Sequence, residues 1–314
     1  MELRISEYNV NGICDNIINV CKSKNSKILI EKEAEASNKQ DVIIALPEYA
    51  DAISENAISV YGTQQASSAV DGVLIGVATA TAKQLQKDLS DMGFYLSAID
   101  GNLNSSKMQQ AVKNFQRVFG YTITGKVTDA MSSITNMAKK YREYLNGSAT
   151  KFAGKYGMDS IQKQAYALTM TVLRDSMGLS KYQTAGVMAN IYAESAFSQD
   201  NAQNNKYPGI HNTNYIYTTT DSVGYGLLQW TYSTRKQGLL DMSKSMNSST
   251  SSLSVQLAYF RYEMEKQYTS SWKKIKNASS YSAASDIFLE EIEKPAVKNY
   301  DQRREYAKQI YNCM

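Results

Sequence analysis

Two short stretches in the second half of the chain carry the residues best suited to acid catalysis. Glu194 ends a segment, 185–193, whose apolar residues recur at helical spacing. A carboxyl group held on a rigid helix beside an apolar cleft is desolvated, which favours its protonated form and lets it give a proton to a leaving group. The second stretch, 224–230, has two glycines that permit close approach of a ligand. Aromatic residues in and beside the two stretches could form apolar walls and stack on sugar rings: Tyr192, Phe197, Tyr225 and Trp230.

The single histidine, His211, excludes several rival chemistries. A zinc hydrolase needs two or more histidine ligands with carboxylate or cysteine partners, and the sequence does not supply that set. A cysteine peptidase is unsupported, because the cysteines lie near the two chain ends, at Cys14, Cys21 and Cys313. A Ser/His/Asp relay is similarly unsupported. An odd number of widely spaced cysteines also argues against a disulfide framework. We therefore predict no metal ion and no cofactor.

Length and composition indicate a helical protein of two or three domains. The chain has 314 residues, 43% of them hydrophobic, and only three prolines. A net charge of +4 is mildly basic and far from the pattern of a nucleic-acid-binding protein. No apolar run is long enough to insert into a membrane. The N-terminus lacks the pattern of a signal peptide, so we expect no export by that route.

The two catalytic stretches together resemble a known superfamily. Glu194-Ser-Ala-Phe followed by Gly224-Tyr-Gly-Leu-Leu-Gln-Trp is similar to the lysozyme-like glycosidases, which include goose-type lysozymes and lytic transglycosylases. Within that superfamily the phage tail lysozyme family has the most similar pattern. Further similar segments follow in order at 254–263, 288–295 and 303–307. The resemblance implies an all-α catalytic domain over residues 158–314.

The resemblance also implies roles for individual residues. Glu194 would be the general acid that cleaves the bond between MurNAc and GlcNAc in peptidoglycan, against the alternative of an ordinary solvated carboxylate. Implied substrate contacts are Ser195, Tyr225, Gln229, Trp230 and Tyr259, although a tyrosine in a helical stripe is more often a core residue. Glu293, in the family's last motif, is expected to form a structural ion pair with Arg303.

A second carboxylate decides between two reactions. A hydrolase needs a base that guides water, whereas a lytic transglycosylase uses the sugar's own hydroxyl and can work with one carboxyl group. Asp221, three residues before Gly224, is the best candidate for the base and could equally order its own loop. Asp200 is a weaker candidate. A hydrolase is the preferred hypothesis. The alternatives are a lytic transglycosylase and a catalytically silent wall-binding component.

A separate unit precedes the catalytic region. Apolar stripes indicate three helices over residues 81–145; their members are Leu85, Leu89 and Met92, then Met108, Ala111, Val112, Phe115 and Phe119, then Met131, Ile134, Ala138 and Tyr141. Asp100-Gly101 marks a turn, and Thr128 is a candidate N-cap for the third helix. The pattern resembles the three-helix peptidoglycan-binding domain found beside wall hydrolases, which implies bacterial peptidoglycan as the partner.

The N-terminal part has no motif that carries chemistry. Residues 1–62 read as a small α+β segment, with a helix over 9–23 and strands at 27–31 and 41–46, and residues 63–80 read as a flexible linker. The segment could attach the enzyme to a phage tail hub or baseplate. The protein would then act either on the virion tail or after release from the host cell.

Overall fold

The computed structural model describes most of the chain from residue 70 onward. The described residues are 3–6, 28–31, 70–203, 209–212, 214–295 and 297–314, with side chains from Ala80 onward. The chain divides into two compact units. One comprises Met1–Lys87 with Ala98–Leu103, and the other comprises Asp88–Ser97 with Asn104–Met314. The described helices include none that is long and apolar enough to cross a membrane.

The first unit contains a two-stranded parallel sheet. Strand β1 (Leu3–Ser6) pairs with β2 (Ile28–Glu31), with Leu3 opposite Ile28. The prediction of a strand at 27–31 is confirmed, whereas the predicted helix at 9–23 and strand at 41–46 lie outside the described residues. Helix α1 (Val70–Asp91) begins inside the predicted linker, so the linker prediction is wrong from residue 70 onward. Its alanines favour a helix, and the Gly, Ser and Thr content of the stretch obscured that preference.

The second unit is built from helices in succession. They are α2 (Ser106–Phe119), α3 (Met131–Tyr144), α4 (Thr150–Tyr156), α5 (Ser160–Thr171), α6 (Lys181–Ser195), α7 (Ser233–Ser245), α8 (Leu253–Tyr262), α9 (Thr269–Lys276), α10 (Tyr281–Phe288) and α11 (Tyr300–Cys313). Four π-helical turns continue helices α3, α5, α8 and α10: π1 (Leu145–Ala149), π2 (Val172–Ser176), π3 (Glu263–Gln267) and π4 (Leu289–Glu293). The mainly α fold predicted for both regions is confirmed.

The predicted apolar stripes of the peptidoglycan-binding-like bundle are all buried. In its core, Phe94 meets Phe115 edge-on at 5.6 Å between ring centroids, and Phe119 lies 4.7 Å from Phe115. Helix α3 begins at Met131 with Ala130 at the N-cap position and without a side-chain cap, and Thr128, two residues earlier, donates to Asp129. The prediction of Thr128 as N-cap is therefore wrong.

Within the second unit, helix α2 packs directly onto residues 246–261. Arg261 of α8 donates from Nε to the Val118 carbonyl oxygen at 2.9 Å, and Asn114 of α2 donates to the Met246 carbonyl oxygen at 3.2 Å. Gly120 leaves the room that the Arg261 guanidinium needs, because a Cβ there would lie 2.5 Å from Nη1. The predicted boundary near residues 146–157 is helical, and its Phe152 is buried against Tyr166. Residues 104–314 therefore form one packed body rather than two regions joined by a linker.

Helix α6 lies in the centre of the helices formed by residues 158–314. The sequence predicted an amphipathic helix with one buried face. All residues from Gln183 to Ile191 are buried, so the helix is instead enclosed on every side. Gly186 allows the close approach of α10, since a Cβ there would lie 2.6 Å from the Ser285 nitrogen. Helices α7 and α9 were missed by sequence reasoning. Helix α7 buries Lys236, Leu239 and Ser243, which is not an apolar stripe.

Candidate active site

Glu194 is held at a sharply ended helix. Helix α6 starts with a capping box, in which Ser180 and Gln183 bond each other's backbone, and it ends one residue after Glu194. The next two residues, Ala196 and Phe197, have φ of 50° and 63°, a left-handed conformation that costs free energy for residues other than glycine. Burial of the Phe197 ring and a 2.9 Å hydrogen bond from Gln162 to the Ala196 carbonyl oxygen stabilise this bend. The backbone around Glu194 is therefore tightly fixed.

The Glu194 carboxylate is bound by a buried arginine. Arg303 of α11 donates from Nη2 to Glu194 Oε1 at 2.5 Å, and from Nη1 to Asn190 Oδ1 at 2.9 Å. Asn190 in turn donates to the Ser285 carbonyl oxygen at 3.1 Å. The Glu194 side chain remains 18% exposed and so is open to a ligand. The ion pair predicted between Glu293 and Arg303 is formed instead between Glu194 and Arg303.

A second buried ion pair involves Glu263 of π3. Arg235 of α7 binds its carboxylate with both Nε, at 2.6 Å, and Nη2, at 2.9 Å. Trp230 Nε1 donates to Glu263 Oε2 at 2.9 Å, and Glu263 is fully buried. This pair fixes the position of the 224–230 segment. Sequence reasoning missed Arg235, for which the only signal is an arginine five residues after the Gln229-Trp230 pair.

Glu293, the last residue of π4, lies near both ion pairs. Its Oε1 is inaccessible to solvent and has no hydrogen-bond partner. Burial, followed by the negative charge of Glu194, raises the pKa of Glu293 to about 8, while the charges of Arg235 and Arg303 oppose that shift. Burial and the neighbouring negative charge therefore both favour the protonated form of Glu293.

Asp221 is engaged by a fully buried lysine. Its carboxylate accepts from Lys236 Nζ, from the Tyr215 hydroxyl at 3.0 Å and from the Val223 backbone N–H at 3.2 Å. Partial burial by itself would raise the pKa of Asp221, but these hydrogen bonds lower it overall. The backbone contact two residues ahead is the loop-ordering Asx arrangement that the sequence left open as the alternative. Asp221 neutralises Lys236 and orders the loop before Gly224.

Most residues expected to bind substrate belong to the core. Ser195 is buried and donates to the Leu227 carbonyl oxygen at 3.0 Å, so it ties helix α6 to the 224–230 segment. Trp230 and Tyr259 are 0% and 1% exposed and pack against each other. Tyr225 is also buried, which raises its pKa to about 12. These four predicted contacts do not present their side chains to a ligand in this structure.

Gln229 is the predicted contact that stays partly exposed. Its backbone has φ of 45°, and its Nε2 donates to the Gly226 carbonyl oxygen at 2.9 Å. Gly224 faces this side chain closely, because a Cβ there would lie 3.0 Å from Gln229 Oε1. The segment is thus a tight turn that displays one amide side chain.

Asp200, the weaker candidate for a base, belongs to a different cluster. His211 lies between Asp200, at 2.7 Å from Nδ1, and Asp159, at 2.8 Å from Nε2. Partial burial alone would lower the pKa of His211, but the two carboxylates raise it overall. Ser198 is also present, yet it is buried and donates to Asp200 at 2.8 Å, so it is not an available nucleophile. This cluster joins Asp200 and His211 to Asp159, the N-cap residue of α5.

Among the described residues, no group of three or more His, Cys, Asp or Glu side chains is arranged to hold a metal ion.

Comparison with known proteins gives two family matches. Residues 162–314 match the family described as phage tail lysozyme, and residues 79–133 match the family described as putative peptidoglycan binding domain. No curated protein and no solved structure matches the chain. The two matches support a lysozyme-like function in cell-wall degradation. Residues 79–314 therefore resemble a phage tail lysozyme preceded by a peptidoglycan-binding domain.

Proposed function

We propose that this protein cleaves the glycosidic bond between MurNAc and GlcNAc in bacterial peptidoglycan, with Glu194 as the general acid. The observation that carries the proposal is a partly exposed carboxyl group on a fixed helix end, beside the Gly224–Trp230 turn of a region similar to phage tail lysozymes. Glu194 would protonate the bridging oxygen as the bond to the anomeric carbon breaks, so that the charge developing on the leaving group is neutralised.

The fate of the positively charged sugar distinguishes two products. Water guided by Asp221 would give a hydrolase, whereas attack by the sugar's own 6-hydroxyl would give a 1,6-anhydro product. Asp221 is held by Lys236 and has a lowered pKa, which makes its carboxylate a weak base. This contact favours the transglycosylase outcome, which needs one carboxyl group.

Wall binding and location form part of the same proposal. The match of residues 79–133 supports binding to peptidoglycan by the bundle. Similarity to tail lysozymes is compatible with action on a virion tail or after release from the host, and residues 1–62 would then contact a tail hub or baseplate.

The deciding experiment is mass spectrometry of fragments released from purified peptidoglycan. Glu194→Gln should release fragments about 10²- to 10⁴-fold more slowly than wild type, because it removes the acidic proton while conserving shape. Glu305→Gln, a surface change on α11, is the matched control and should behave as wild type.

The ends of the fragments identify the reaction. Anhydro-muramic ends would establish a transglycosylase, and reducing muramic ends a hydrolase. Reducing GlcNAc ends would show cleavage of the other glycosidic bond. If the wild type bound insoluble wall without releasing fragments, the enzyme proposal would fail in favour of a wall-binding component.

A further inference from the structure

Two buried polar atoms near Glu194 lack partners and are chemically complementary. Arg303 Nε carries an N–H donor without an acceptor, and Glu293 Oε1 is an acceptor without a donor. Leaving such atoms unpaired in a protein interior costs free energy, so their joint occurrence requires an explanation. Arg303 binds the Glu194 carboxylate, and the charges of both of these groups act on the Glu293 carboxyl group.

The charges around these atoms do not balance unless one carboxyl group is protonated. Helices α7 and α11 contribute the cations Arg235 and Arg303, while α6, π3 and π4 contribute the carboxyl groups of Glu194, Glu263 and Glu293. The phenol of Tyr268 also faces this cluster and is neutral. Two cations neutralise two carboxylates, and a further unpaired carboxylate would be costly in this setting. The cluster therefore retains one proton.

The acid role proposed for Glu194 requires a second arrangement besides the one in this structure. Arg303 binds Glu194 as a carboxylate, and a carboxylate has no proton to give to a glycosidic oxygen. The unpaired Arg303 Nε and Glu293 Oε1 supply the contact needed for a second arrangement, in which Arg303 binds Glu293 and releases Glu194.

We propose that Glu293 is a positioning residue that shares Arg303 and a single proton with Glu194. This inference rests on the proposed role of Glu194. In the resting arrangement Glu293 carries the proton, and Arg303 binds Glu194. In the reactive arrangement the O–H bond of Glu293 has broken, an O–H bond has formed on Glu194, and Arg303 Nε donates to the Glu293 carboxylate. The total charge is unchanged, and no other reactant is needed.

Infrared spectroscopy of the protein alone tests the sharing of the proton. Wild type at neutral pH should show the C=O stretch of a buried carboxylic acid, assigned by ¹³C labelling of glutamate. Glu293→Gln should abolish it. The matched control, Glu291→Gln in the same π-helical turn, changes a carboxyl group paired with Lys274 at the surface and should leave the band in place.

Glu194→Gln gives the sharper readout. If the proton is shared, this variant also loses the band, because the repelling charge disappears and Arg303 becomes available to an ionised Glu293. If Glu293 were simply a buried acid independent of Glu194, the band would persist in Glu194→Gln, and the proposal would be overturned. Absence of the band from wild type would overturn it as well. If Glu293→Gln fails to fold, the comparison of wild type with Glu194→Gln is sufficient to test the proposal.

The pH dependence of kcat/KM tests the consequence for catalysis. Without Glu293 to keep a proton in the cluster, the acidic proton would have to stay on Glu194 alone, beside the positive charge of Arg303. The alkaline limb of the profile should therefore move to lower pH by about one unit or more in Glu293→Gln. An equal loss at every pH would indicate a purely structural role and contradict the proposal.

The two proposals fail in distinguishable ways. The infrared measurement needs no substrate, so a protein that shows the shared proton but releases no glycan fragments would refute the enzymatic function alone.

Discussion

The bundle and the surroundings of Glu194 are stabilised by different interactions. The bundle has an apolar core in which Phe94, Phe115 and Phe119 meet. The region around Glu194 encloses ion pairs, including Arg235 with Glu263, within buried helices. Burial of apolar area does not depend on direction, whereas a buried charge requires a particular partner at a particular position. Hydrophobic spacing therefore predicts the first kind of core and is uninformative about the second.

The largest effect that would test this contrast is truncation in the bundle core. Phe115→Ala removes a ring that is 0% exposed and should lower the free energy of unfolding by about 4 kcal/mol, because lost apolar burial and a cavity both contribute. Urea denaturation followed by circular dichroism measures this loss. Leu96→Ala, at a side chain that is 89% exposed, is the control and should change little. Equal effects of the two substitutions would refute the assignment of the core.

A somewhat smaller effect tests the buried charge beside the 224–230 turn. Asp221→Asn leaves the Lys236 ammonium buried without its counter-ion and should cost about 3 kcal/mol in urea denaturation at neutral pH. Asp241→Asn, an exposed change in the same region, should cost almost nothing. If Asp221 only orders its loop, the folded Asp221→Asn variant should still cleave peptidoglycan. A loss of activity far larger than the unfolded fraction explains would indicate that Asp221 is the catalytic base.

The pH dependence of this difference has a defined sign. Because the folded pKa of Asp221 is lowered from 3.8, its ionised form stabilises the protein at pH values above that ordinary value. The stabilisation is lost as pH falls through the folded pKa, where the protonated acid resembles asparagine. The difference in free energy of unfolding between wild type and Asp221→Asn should therefore be largest at neutral pH and decrease in acid. A gap that stayed constant down to the lowest accessible pH would contradict the ion pair.

The smallest effect concerns a polar contact inside the bundle. Gln116 Oε1 accepts from the backbone N–H groups of Thr124 and Gly125 at 3.0 and 2.9 Å. Gln116→Ala should cost about 2 kcal/mol, because buried backbone donors lose their acceptor. Gln109→Ala, an exposed glutamine on the same helix, provides the control in the same denaturation assay. A cost no larger than that of the control would show that water replaces the side chain.

The bundle shows how far sequence reasoning reaches. Gln86 accepts from the Gly101 N–H at 2.7 Å in the same way that Gln116 accepts from Gly125, so each Leu-Gln or Phe-Gln pair fixes a later glycine turn. The glycines and the apolar stripes could be recognised in the sequence, whereas the glutamine side chains that accept from the glycine N–H groups could not. Thr128 is not the helix cap because helix α3 begins later, with Ala130 at the N-cap position.

In the region around Glu194, the sequence predicted helices, whereas several side chains expected at the surface are buried. Apolar spacing over residues 185–193 identified α6, but that helix is buried on every side rather than on one face. Three of the four aromatic residues expected to stack on sugars, Phe197, Tyr225 and Trp230, are core residues, and Tyr192 is partly exposed. The same side chains suit an apolar interior and a carbohydrate surface equally well. Helix α7 was missed since its buried face includes a lysine whose counter-ion lies on another segment.

The sequence by itself determined a mainly helical protein, the apolar stripes of its bundle and the placement of Glu194 at a helix end, because helical spacing and turn residues act over short distances. Only the tertiary structure decided which charges meet. Arg303 lies 109 residues after Glu194, and Lys236 lies 15 residues after Asp221. A charged side chain can find its partner at any distance along the chain, so the pairing depends on how the helices pack.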